Sequence, residues 1–125
     1  MRIFFAFLLS LILLSAPSAF ALELRSVAVD VPQKYRNGPL AVKRELKALP
    51  GLSVSVFASG LGDARFMAES SDGVLFVSIP SDGTILALPD RDKDGVADEV
   101  IVYAKGLEGP HGLAFMDGSL FVAET

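Results

Sequence analysis

The chain has 125 residues, 51% hydrophobic and 21% charged, with 11 Lys+Arg, 15 Asp+Glu, one His and no Cys. The lack of Cys excludes a disulfide framework, a thiolate metal site and a thiol nucleophile, and so high an apolar content excludes a disordered acidic tail. A formal net charge of -4 supplies no basic field to attract phosphates, so no nucleic acid partner is expected.

Met1-Arg2 sets a positive charge before an apolar run from Ile3 to Leu9 that resumes from Leu11 to Leu14 and ends in Ala19-Phe20-Ala21. A charged start, a short apolar core and an A-x-A end are the parts of a signal peptide, here 1–21 with cleavage after Ala21. A spanning helix needs about 20 apolar residues, and Pro17 interrupts this one early. The expectation is an exported, periplasmic or secreted protein with no stable membrane span after cleavage.

Residues 22–50 read as an N-terminal extension. Val27, Val29 and Val31 alternate like a short strand, Pro32 to Pro39 reads as loop, and Ala41 to Leu49 fits two turns of helix with Lys43, Arg44 and Lys47 on the solvated side.

Residues 51–125 repeat themselves. Val54-Ser55-Val56-Phe57-Ala58-Ser59-Gly60-Leu61 recurs 46 residues later as Val100-Ile101-Val102-Tyr103-Ala104-Lys105-Gly106-Leu107. One residue of offset is then lost, and Asp72-Gly73-Val74-Leu75-Phe76-Val77 meets Asp117-Gly118-Ser119-Leu120-Phe121-Val122 with five of six identical. A period of ~40–50 residues is that of β-propeller blades. One period holds four strand-like runs, Phe66 to Glu69, Val74 to Ile79, Ile85 to Leu88 and Val100 to Ala104, separated by turns such as Ser71-Asp72-Gly73 and Ser81-Asp82-Gly83. Asp-Gly supplies the positive φ that tight hairpins need. The fold class is therefore all-β, a β-propeller of which about one and a half blades are present. The second unit stops at Thr125, inside an expected strand, so the reading is of the first blades of a longer propeller.

The alignment sets Arg65 and His111 at the same place in successive units, just before the innermost strands, and so as neighbours at a channel mouth. A cation and an imidazole there suit holding an anionic cofactor and removing a proton, as an alcohol-oxidising site requires. His111 also admits a purely structural role, as a rim residue bonded to a backbone carbonyl. Asp90, Asp92 and Asp94 with Gly95, and Asp98 beyond, match the first half of a calcium loop. Position 12 of such a loop is Ile101 rather than Glu, and a solvated connection between strands is the other reading. Met67 and Met116 read as packing residues.

From Leu49-Pro50-Gly51 to Thr125 the chain resembles the glucose/sorbosone dehydrogenase family, the soluble pyrroloquinoline quinone (PQQ) sugar dehydrogenases. The resemblance lies in Val56-Phe57-Ala58-Ser59-Gly60-Leu61, Ala64-Arg65-Phe66-Met67-Ala68, the Asp90 to Asp98 run, and Gly109-Pro110-His111-Gly112-Leu113-Ala114-Phe115 with Leu120-Phe121-Val122-Ala123-Glu124-Thr125. It implies a six-bladed propeller, within the ~4–8 blades of such folds, with PQQ and Ca²⁺ at the channel mouth. It also implies a sugar substrate, an electron acceptor such as a cytochrome or quinone, and a His that takes the sugar hydroxyl proton. By position His111 is similar to that base and Arg65 faces the cofactor; the chain looks closer to the sorbosone-type branch. The family's calcium comes from later blades, so the Asp90 to Asp98 run is not expected to be that site. The alternatives are a noncatalytic binding propeller and a lactonase-like propeller hydrolase.

Overall fold

The computed structural model describes residues 23–125; the expected signal peptide lies outside them. Among the described residues there is no α-helix, only three 3-10 turns, Gln33–Tyr35, Gly38–Leu40 and Pro80–Asp82, and nine strands in three sheets. The protein is all-β, as its short β-branched runs and Asp-Gly punctuation predict. Among these residues no helix is long and apolar enough to cross a membrane.

The first sheet joins β1 (Arg25–Asp30), β2 (Glu45–Ala48) and β3 (Val54–Ser55) in the order β2-β1-β3. β1 is the strand that the Val27, Val29 alternation predicts. The helix expected over Ala41 to Leu49 is not formed. Glu45–Ala48 lies antiparallel on β1, with Val27 facing Leu46 and Ala28 facing Glu45. Glu, Leu, Lys and Ala are good helix formers, but a four-residue stretch is below the length at which a helix holds itself, and the free edge of β1 offers partners to the backbone groups that face it. The strand expected over Val54 to Ala58 is also shorter. It runs parallel to β1 for Val54–Ser55 only, after which Phe57, Ala58 and Leu61 turn away to pack on the second sheet.

That second sheet is the centre of the molecule. β4 (Met67–Glu69), β5 (Leu75–Ile79), β6 (Thr84–Leu88) and β7 (Ile101–Lys105) form an antiparallel meander in chain order, within one residue of the predicted runs. Alternate residues face opposite ways. Val77, Ile79, Leu86 and Leu88 build one buried layer with Ala97, covered by Phe57, Ala58 and Leu61. Phe76, Ile85 and Ala87 build the other, covered by Leu113, Phe115, Leu120 and Val122. The register shifts between Ile85 and Leu86, whose partners are Ala104 and Val102. Tyr103 is thus the extra residue of a bulge, and its ring meets Phe76 edge-on, centroids 4.9 Å apart.

The covering residues belong to the third sheet, the hairpin of β8 (Leu113–Met116) and β9 (Ser119–Val122). Met116 pairs with Ser119 across a two-residue turn, Asp117-Gly118, with φ of 50° and 76°. Two consecutive positive φ values are what a twisted two-residue hairpin demands. In the β4–β5 hairpin the same place holds one residue more, and Gly73, at φ 85°, closes it with its N–H on the Ser70 carbonyl. The single residue lost from the repeat period therefore sits in a hairpin loop, and the strands on either side keep their register.

Candidate functional site

The two hairpins open at the end away from these loops, and there their backbones make the same pattern. Arg65 N–H donates to the Ser78 carbonyl (3.0 Å) and Ser78 N–H to the Phe66 carbonyl (2.9 Å). In the next unit His111 N–H donates to the Ala123 carbonyl (3.0 Å) and Ala123 N–H to the Gly112 carbonyl (2.8 Å). Arg65 and His111 thus occupy equivalent positions by hydrogen bonding as well as by alignment. The two ends are joined directly. The Ser78 hydroxyl accepts from Phe66 N–H and donates to the His111 carbonyl, both at 3.2 Å. The Phe66 ring stands edge-on to the imidazole, with centroids 6.3 Å apart. What the structure brings against His111 is therefore the backbone and ring beside Arg65. Arg65 itself is exposed, and among the described residues its guanidinium makes no ion pair.

His111 is half-buried, with the buried Pro110 before it. Its Nδ1 lies 2.9 Å from the Ala123 carbonyl oxygen and 2.9 Å from the Gly112 N–H. A backbone carbonyl does bind the imidazole, as the structural reading of this residue requires. The same bond leaves Nε2 free of protein partners among the described residues, which a proton acceptor needs. Nδ1 as donor to Ala123 leaves Nε2 an acceptor, whereas Nδ1 as acceptor from Gly112 puts the ring proton on Nε2, so the base reading requires the first of these tautomers.

Asp90, Asp92 and Asp94 form a second cluster, each offering a carboxylate oxygen within 4.8 Å of the others. Backbone N–H groups hold the carboxylates in place. Asp94 N–H lies 3.2 Å from Asp90 and 3.3 Å from Asp92, Gly95 N–H donates to Asp90 at 3.0 Å, and Val96 N–H donates to Asp94 at 2.8 Å. Lys93 and Gly95 take the positive φ values, 57° and 83°, that curl the loop. Asp98 is not part of this cluster. It accepts the Arg91 backbone N–H at 2.7 Å and lies 3.7 Å from the Arg91 guanidinium, which also pairs with Glu99. The hydrogen bond to Glu99, then the Coulombic pull of Glu99, raises the Arg91 pKa above its ordinary value. An arginine one residue into the loop thus takes the fourth expected ligand, and the Asp-spacing pattern by itself carries no sign of that.

The two clusters lie apart. A cleft of about 720 Å³ is lined by Asp90, Lys93 and the β4–β5 loop, Ser70 to Gly73. Arg65 and His111 sit at the opposite end of β4, roughly 16 Å from Ser70 at about 3.3 Å per strand residue. A cation held by Asp90, Asp92 and Asp94 would stand at the wrong end of the sheet to act with His111. Ser78 is the residue of the rim that sequence reasoning passes over. A Ser inside Leu75–Ile79, buried on both sides by its neighbours in the strand, is the signal that would have found it. No family model, curated protein or solved structure matches the chain.

Proposed function

We propose that this chain carries the first units of an exported β-propeller dehydrogenase that oxidises an aldose or a sorbosone-like sugar, with His111 as general base and Arg65 near an anionic cofactor. The observation that carries this reading is the repeated backbone pattern at Arg65/Ser78 and His111/Ala123, on hairpins stacked face to face. Successive blades of a propeller would have this relation, and it makes the backbone positions of Arg65 and His111 equivalent. The equivalent of Phe76 in the second unit is Phe121. Phe76 is 8% exposed beneath Phe115, and Phe121 is 52% exposed, so a third unit would bury it as the second buries Phe76.

The residues present fit PQQ in kind. An exposed guanidinium free of ion pairs among the described residues suits carboxylates, which it binds bidentately. When bound, PQQ supplies the hydride acceptor. His111 supplies the proton acceptor: Nε2 takes the proton of the sugar hydroxyl as the carbon beneath it is oxidised. Asp90, Asp92 and Asp94 are proposed to hold a separate Ca²⁺ with a structural role, since hard cations take oxygen ligands on a short arc.

The test uses the full-length protein loaded with PQQ and Ca²⁺, following aldose-dependent dye reduction. His111→Ala should lower turnover by about 10²-fold or more, the usual share of a general base. Undiminished turnover removes His111 from the chemistry. Absence of any dye reduction by the loaded wild type favours the binding propeller, and lactone hydrolysis in its place favours the hydrolase.

A further inference from the structure

None of the residues of the first sheet lies in or against the two buried layers of the second, and its own two faces differ in chemistry. Side chains alternate along each strand, so the pairs Arg25–Ala48, Val27–Leu46 and Val29–Val54 share one face. The Val29 N–H donates to the Arg44 carbonyl at 2.9 Å, which carries the ladder one residue beyond β2 and sets Arg44 on that face as well. The other face takes Ser26, Ala28, Asp30, Glu45, Lys47 and Ser55, and there the Ser26 hydroxyl donates to Glu45. Both carboxylates of the sheet thus lie on the polar face. The apolar face has an arginine at each end, roughly 13 Å apart at about 3.3 Å per strand residue, and aliphatic side chains between them. Leu46 is 52% exposed, and Leu24 and Val42, close to the strands in sequence, are 49% and 67% exposed. Among the described residues neither arginine makes an ion pair; Arg44 donates to the Pro39 carbonyl at 2.9 Å.

The charge of the chain divides at the same place. Residues 23–50 carry six Lys+Arg and three Asp+Glu, net +3, whereas residues 51–125 carry four and twelve, net -8. Attraction to a charged surface is decided close to it, because exposed charges beyond about 8 Å are screened at physiological ionic strength. We propose that the Val27–Leu46 face of the first sheet docks the protein onto an anionic lipid bilayer. Its aliphatic side chains enter the headgroup boundary, and Arg25 and Arg44 pair with lipid phosphates. Interfacial anchors combine an apolar face with Lys and Arg in this way, and an arginine stem lies along apolar surface while its head stays in the polar layer. An acidic protein surface, such as the Asp90 cleft of another copy, would satisfy the arginines and leave the aliphatic residues uncovered. The same lipids repel the acidic remainder of the chain, which therefore turns to the aqueous side. This contact is peripheral and stands independently of the dehydrogenase reading.

Co-sedimentation of the full-length protein with lipid vesicles tests the proposal. Vesicles of phosphatidylcholine with one-third phosphatidylglycerol should bind it at low salt, and pure phosphatidylcholine should bind it far less. Salt at about 1 M, where the Debye length is about 3 Å, should release most of it. Arg25→Gln should weaken binding about fivefold, the effect of one cation near an anionic surface, and Lys47→Gln, on the opposite face, should weaken it less. Leu46→Ala should also weaken binding about fivefold, for the apolar area withdrawn from the bilayer. Arg25 makes no ion pair among the described residues and Leu46 is half exposed, so both variants leave the fold intact. Equal binding to the two vesicle types, or no binding to either, overturns the proposal. Equal losses for Arg25→Gln and Lys47→Gln, or an unchanged affinity of Leu46→Ala, overturn the assignment to this face. Self-association without lipid that Arg25→Gln dissolves gives the face to a second copy and overturns it too. A protein that binds anionic vesicles as described and oxidises no sugar leaves the docking intact and fails only the enzymatic reading.

Discussion

At Gly83 the backbone leaves room for a hydrogen atom and nothing larger. The residue caps the Pro80–Asp82 turn at φ 59°, and a Cβ built there would lie 2.4 Å from the Leu107 carbonyl oxygen. Two penalties combine, a left-handed conformation costing roughly 1–2 kcal/mol for an L residue and a contact with backbone that has nowhere to go. Gly106 supplies the control, because it has φ 79° with nothing within 4 Å of its Cβ position. Gly106→Ala should cost about 1 kcal/mol and Gly83→Ala at least about 2 kcal/mol in urea denaturation. Equal losses would mean that the contact with Leu107 yields. Residue-scale chemistry was partly legible in the chain. The equivalence of Arg65 and His111 follows from the repeat, but the contact of Ser78 does not, because its hydroxyl bonds to a carbonyl 33 residues away that only folding brings near.

The elements best anticipated are those whose pattern and surroundings agree. β5 alternates Phe76 and Ser78 with Val77 and Ile79, and both faces are buried, so local preference and packing call for the same strand. β2 shows the opposite case. Glu45–Ala48 prefers helix locally, and the edge of β1 decides otherwise. Such an outcome is invisible without knowing which strand lies beside it. The Asp90 to Asp98 loop is intermediate: spacing identifies three of its carboxylates, and the Arg91 pairing that removes Asp98 becomes visible only in three dimensions. If the loop holds calcium, saturating Ca²⁺ at about 100 times Kd should add about 2.7 kcal/mol of stability, seen as a rise in Tm. Asp92→Asn should abolish the rise. A Tm indifferent to Ca²⁺ would leave the loop as a solvated connection held by its own hydrogen bonds.

Across the whole molecule, stability is concentrated where sheets cover each other. The second sheet is enclosed on one side by the segment Phe57 to Leu61 and on the other by the β8–β9 hairpin, whereas the outer face of that hairpin leaves Met116 and Phe121 exposed. Phe76→Ala should therefore cost about 3–5 kcal/mol, the usual loss for a buried aromatic. Phe121→Ala, at the equivalent position in the repeat, should cost less than about 1 kcal/mol in the same chain. Thermal or urea melts of the pair check this; similar losses would show that Phe121 is buried in solution. All-β character and the order of the central meander follow from the sequence because each strand pairs with its neighbour in the chain. The parallel contact of β3 with β1 bridges a longer separation, and no local pattern announces it.

The odd residue between the two periods has a consequence for how such a chain tolerates change. It is accommodated where each hairpin turns back on itself, and the opposite, open ends keep their hydrogen bonds unaltered. Lengthening or trimming that bend is thus mechanically insulated from the imidazole end. Grafting the Asp117-Gly118 bend in place of Ser71-Asp72-Gly73 would vary the lip of the acidic cleft while the end that carries Arg65 and His111 kept its geometry.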